Sequence, residues 1–149
     1  MGWTLISIEE LPEPGDLVWC KFPLRETPGA PGPIARPTLV RATAILENPE
    51  TGNLYGAVEV SYGTGTFVAA ECPDDLLITS REAYQRMGLH KPTRIALDPA
   101  NRKNLIWCEE YFVPQNYVRD SGVIAGRLGP DEIEQMRECL KRRGLLVVD

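Results

Sequence analysis

The runs Thr38-Leu39-Val40-Arg41-Ala42-Thr43-Ala44-Ile45-Leu46 and Leu54-Tyr55-Gly56-Ala57-Val58-Glu59-Val60-Ser61-Tyr62 flank Asn48-Pro49-Glu50-Thr51-Gly52-Asn53. Both runs are rich in β-branched and aromatic residues. The second alternates, with Val58, Val60 and Tyr62 on one face and Ala57, Glu59 and Ser61 on the other, which is the period of a half-buried strand. The segment between them consists of turn formers, so the pair reads as an antiparallel hairpin. Working outward, Leu17-Val18-Trp19-Cys20-Lys21-Phe22 is a further strand candidate, with Leu17 and Trp19 turned to a core. Leu76–Ile78, Thr93–Leu97, Leu105–Cys108 and Gly122–Ala125 are shorter candidates. Many short strands without regular intervening helices point to a mainly β barrel or sandwich rather than a parallel α/β sheet.

Two helices are expected. Thr79-Ser80-Arg81-Glu82 has capping-box spacing for a short internal helix reaching Met87, with Gly88 as terminator. Pro130 opens a second, C-terminal helix. Asp131, Glu132 and Glu134 complement its N-terminal dipole, and Lys141, Arg142 and Arg143 its other end before Gly144. Ile133, Met136 and Leu140 share one face, which is expected to pack on the sheet.

The chain of 149 residues, 43% hydrophobic and 25% charged, is sized for one domain over 1–149 with a real core. No apolar run approaches a membrane span. Met1-Gly2-Trp3-Thr4 lacks the basic start of a secretory signal, so a cytoplasmic location is expected. Cys20, Cys72, Cys108 and Cys139 are widely spaced, and there is a single histidine. Reduced thiols and no metal or other cofactor are therefore expected. A net charge of −5 argues against non-specific duplex binding. A local patch of Lys21, Arg25, Arg36 and Arg41 remains compatible with it. The stretch from Pro23 to Pro37 carries five prolines, with Gly29 and Gly32 between them, and reads as a loop that covers or borders a site. His90, in Gly88-Leu89-His90-Lys91-Pro92, reads as a solvated loop residue.

Gly15-Asp16 opens the first strand, Arg36-Pro37 opens the second after the Pro-rich loop, and Tyr62-Gly63-Thr64-Gly65-Thr66 closes the third. In that order, and with Met87-Gly88-Leu89, Thr93-Arg94-Ile95-Ala96-Leu97, Leu105-Ile106-Trp107, Glu110-Tyr111-Phe112 and Gly126-Arg127-Leu128 following, the chain resembles the PemK/MazF family of toxin endoribonucleases over roughly residues 13 to 143.

The resemblance implies an SH3-like β-barrel with a C-terminal helix, a homodimer, a cognate antitoxin as protein partner, and no membrane association. It also implies metal-independent cleavage of single-stranded RNA, in which the 2′-hydroxyl attacks the adjacent phosphate. Arg36 matches the family's Arg-Pro arginine, a donor to the charged phosphorane. Thr64 best matches the hydroxyl residue, with Ser61 and Thr66 in reserve. Lys21, Arg25 and Arg41 are the candidate RNA contacts. Some members pair an Arg and an Asp on a later strand. Here Arg94 and Asp98 lie about 13 Å apart along an extended chain, at about 3.3 Å per residue. No general base is evident in the sequence. A non-catalytic SH3-like binding module that keeps the toxin scaffold is the alternative.

Overall fold

The structure, a computed structural model, describes residues 2–114 and 122–146. It is mainly β, with two antiparallel sheets and two α-helices. The strands are β1 (Asp16–Cys20), β2 (Arg36–Glu47), β3 (Leu54–Ser61), β4 (Gly63–Thr64), β5 (Leu76–Ile78), β6 (Thr93–Ile95), β7 (Arg102–Ile106) and β8 (Ile124–Arg127). The helices are α1 (Arg81–Arg86) and α2 (Pro130–Arg142). The larger sheet has the order β7-β3-β2-β1-β8, and the smaller has β4-β6-β5. No helix among the described residues is long and apolar enough to cross a membrane.

The expected hairpin is present: β2 pairs β3 from Leu39↔Ser61 to Glu47↔Leu54, with a bulge between Val40 and Ala42. Gly52 takes the left-handed φ of +75° that this turn requires. β7 and β8 overlap their expected windows but are displaced by two or three residues, because the ladder selects the residues that meet β3 and β1. Gly63-Thr64, expected to close the third strand, instead forms the separate strand β4, which pairs with β6. Gly63 presses there against the Pro37 carbonyl, where any side chain would collide.

β1 is buried on both faces. Leu17 and Trp19 enter one core with Leu39, Leu76, Ile78, Met87, Ile95, Cys139 and Leu140. Val18 and Cys20 enter the other with Val40, Val58, Val60, Trp107 and Phe112. Cys20, Cys108 and Cys139 are buried, Cys72 is half-buried, and all four are free thiols. Burial, and then the neighbouring Cys108, push the Cys20 thiol far up.

Both helices form, with two corrections. Ser80, not Thr79, is the N-cap of α1, its Oγ accepting from the Ala83 N–H at 3.2 Å. The third helical residue is then Ala83, so no capping box closes. On α2, Ile133 is 43% exposed, and the packed face carries Glu132, Met136, Cys139 and Leu140. The reason is polar. Glu132 Oε1 accepts from the Gly129 N–H at 2.9 Å and pairs with Arg86 at 2.7 Å, which rotates Ile133 to the margin.

α2 is pinned to the smaller sheet through Asp75, whose side chain is 3% exposed. Its carboxylate accepts from Arg94 Nε at 2.7 Å, Arg143 Nη2 at 2.7 Å and the Leu97 N–H at 3.0 Å. Removing one partner of a buried pair typically costs about 3–5 kcal/mol. Both arginines stay about one-quarter exposed and can rehydrate, which favours the lower end. Asp75→Ala is expected to lower stability by about 3 kcal/mol, near 10 °C in Tm for a chain of this size. Thermal unfolding followed by circular dichroism checks this, and a Tm within about 2 °C of wild type would show the network to be incidental.

Candidate functional site

Where β1 ends and β2 begins, the two strands pair Trp19↔Pro37 and Cys20↔Arg36. The Pro-rich loop leaves β1 and returns at this point. Gly32 donates its N–H to the Lys21 carbonyl at 3.0 Å, closing the loop base. Gly32 packs so tightly on the Phe22 carbonyl that a Cβ would collide with it. Residues 24–30 form the outer, exposed part of the loop.

The loop base, the end of β1 and the α1–β6 connection enclose a cavity of about 440 Å³. Trp19, Lys21, Arg36, Gly65, His90 and Lys91 line it, with Pro33, Ile34, Ala35 and Pro37 of the loop. The His90 ring stacks on the Trp19 indole, with centroids 6.2 Å apart and planes at 26°. Trp19 is only 4% exposed, so its indole is a rigid backing for the imidazole rather than a platform for a ligand. The Arg36 guanidinium lies 5.5 Å from the centre of the Tyr62 ring, which itself packs edge-on against Phe22. Cation–π contact holds that guanidinium near the cavity without neutralising it. The Lys91 chain crosses Gly65, where a Cβ would meet its Cε, so glycine is needed for the ammonium to reach the cavity. The lining therefore holds three cationic side chains and an imidazole, and among the described residues it holds no carboxylate.

The expected residues divide. Arg36 and Lys21 reach this cavity. Thr64 does not line it: the residue is 6% exposed, and its Oγ1 accepts from the Thr66 N–H at 3.1 Å within its own turn. Thr66 is exposed and serves that same turn. Ser61 is fully buried, and its Oγ accepts from Arg41 Nη1 at 3.1 Å. Arg41 stands five residues further along β2, at the bulge between Val40 and Ala42, and does not line the cavity, so it leaves the expected patch. Arg25 lies in the exposed outer loop, away from the lining. Arg94 is bound to Asp75, and the Asp98 carboxylate accepts from Asn101 Nδ2 at 2.8 and 3.0 Å, so the two do not form a catalytic pair.

His90 and Lys91 are the residues that sequence reasoning missed as site members. The available signal was a short polar segment between a helix-terminating glycine, Gly88 (φ +74°), and Pro92. What brings it to Trp19 is tertiary packing of the connection against β1. The chain matches no known family model, and no curated protein is significantly similar to it in sequence.

The two glycines of β4 and its flank separate fold from site. A Cβ on Gly63 would meet backbone, the Pro37 oxygen, so Gly63→Ala is expected to cost about 1–3 kcal/mol. A Cβ on Gly65 meets only the flexible end of Lys91. Gly65→Ala should therefore leave Tm within about 2 °C of wild type while displacing the ammonium. Thermal melts of the two variants side by side test this, and equal losses would refute it.

Proposed function

We propose that this chain is a PemK/MazF-like, toxin-type endoribonuclease that cleaves single-stranded RNA without a metal. The observation that carries the reading is the convergence of Arg36, Lys21, Lys91 and His90 on one cavity at the base of the Pro-rich loop. Three cations without a carboxylate favour a phosphate, and the cavity focuses positive potential on a chain whose net charge is −5. On this reading the two sheets with α2 are an opened SH3-like barrel, and the protein works as a cytoplasmic homodimer held in check by an antitoxin.

In the reaction the 2′-oxygen forms a bond to phosphorus and the bond from phosphorus to the 5′-oxygen breaks. The products are a 2′,3′-cyclic phosphate and a 5′-hydroxyl. The 2′-hydroxyl gives up a proton and the leaving oxygen gains one. An imidazole can do both near neutrality, so His90, held flat on Trp19, supplies the proton-transfer group that the sequence did not reveal. Arg36 and Lys91 donate to the non-bridging oxygens as charge builds, the part expected of Arg36 and Thr64. The inward-turned Thr64 hydroxyl favours a second reading, a binding module that keeps the scaffold without the chemistry.

Arg36→Ala is expected to reduce cleavage of single-stranded RNA by roughly 10²–10³-fold, the usual effect of losing one preorganised donor. The fold should persist, because the Arg36 side chain stands at the start of β2, outside both apolar cores. Cleavage assays and growth arrest on expression test the reading together. Full activity in Arg36→Ala would reject the mechanism. RNA binding without cleavage by the wild type would select the binding module.

A further inference from the structure

We propose a second phosphate-contact site, formed by Arg41 and Arg102 on the face shared by β2, β3 and β7, which grips the RNA backbone a few nucleotides from the cavity. It rests on the reading of the cavity as an RNA phosphate site. The sheet register carries the argument. Leu39↔Ser61 and Ser61↔Arg102 are cross-strand pairs, as are Ala42↔Glu59 and Glu59↔Asn104. Paired residues of antiparallel strands share a face. The face that is apolar core at Leu39 therefore becomes polar at β3 and β7, where Ser61, Glu59, Arg102 and Asn104 stand together.

Arg41, two residues on from Leu39 and inside the bulge between Val40 and Ala42, stands on this face, where Nη1 donates to the Ser61 Oγ at 3.1 Å. Arg102 Nε lies 3.4 Å from Glu59 Oε1, and both of those side chains are more than one-third exposed. Glu59 thus pairs with Arg102, while Arg41 is held by Ser61 on the same face. Burial first, and then the neighbouring Arg102, push Arg41 down from its ordinary range, while Glu59 partly offsets them. An arriving oxyanion would relieve this crowding, and a planar guanidinium suits a phosphate.

The site is tied to the cavity by a short piece of chain. Ser61 sits at Arg41 and Gly65 in the cavity lining. Four residues span at most about 14 Å. That is about four nucleotides of a stacked strand, at roughly 3.4 Å each. An octanucleotide is long enough to place one phosphate in the cavity and another at Arg41.

The probe is a 2′-O-methyl octauridylate, which lacks the attacking hydroxyl and so reports binding alone. Its affinity is measured over a range of salt for wild type, Arg36→Ala, Arg41→Gln and Glu59→Gln. Arg41→Gln is expected to weaken binding about tenfold or more. It should also flatten the slope of log affinity against log salt by about 0.7. Glu59→Gln removes the competing carboxylate and is expected to tighten binding roughly twofold to fivefold, a gain that misfolding cannot produce. If Arg36→Ala loses affinity while Arg41→Gln and Glu59→Gln match wild type, the second site is overturned and the cavity reading stands. A loss in Arg41→Gln without a gain in Glu59→Gln overturns it as well. Failure of the wild type to bind the octamer overturns both.

Discussion

A strand buried on both faces must be covered twice, and β1 imposes that requirement on this chain. Leu17 and Trp19 need one apolar partner surface, and Val18 and Cys20 need another. A hairpin of β2 and β3 widens the sheet but covers neither face. The smaller sheet, α1 and α2 close over the first face. The segment from β7 to Phe112, with the N-terminal Trp3 and Ile6, closes over the second. Each burial of a large side chain contributes about 1.5–3 kcal/mol, so each cover gains from the pair of β1 side chains that it closes over. The Asp75 network then decides how α2 sits on the first cover, since hydrophobic contact alone has little directional preference.

The same constraint builds the cavity. Trp19 lies at the end of β1, where the first cover stops and the Pro-rich loop starts. Its indole has core on one side and His90 on the other. The cationic lining comes from three places that share only this boundary: the loop base, the start of β2 and the α1–β6 connection. A charged site at the edge of a core keeps its cations hydrated when empty, yet gives them a rigid wall.

Legibility in the sequence followed the range of the determining interaction. The β2–β3 hairpin was readable because its alternation and its turn are local. Gly88 and Gly144 were readable as helix terminators for the same reason. β4 was not, because a two-residue strand carries no period, and only its pairing with Ile95 and Arg94 of β6 makes it one. Ile133 misled because hydrophobicity marks a face only when no buried polar group competes, and Glu132 competes. Among the site residues, Arg36 and Lys21 flank the conspicuous loop and could be nominated from it. His90 and Lys91 enter from far along the chain. Thr64 and Ser61 look chemically apt as letters, but hydrogen bonding has already committed both hydroxyls.

The pairing of β1 with β8 has a consequence for how the molecule comes into being. Asp16 meets Arg127, more than a hundred residues later. Topologies dominated by such distant pairings fold slowly, on the scale of milliseconds to seconds. During synthesis, at about 5–20 residues per second, β1 waits roughly 5–20 s before its last strand partner leaves the ribosome. Throughout that interval the β1 edge that β8 later pairs with stays open, a row of unpaired N–H and C=O groups that a foreign strand could pair with.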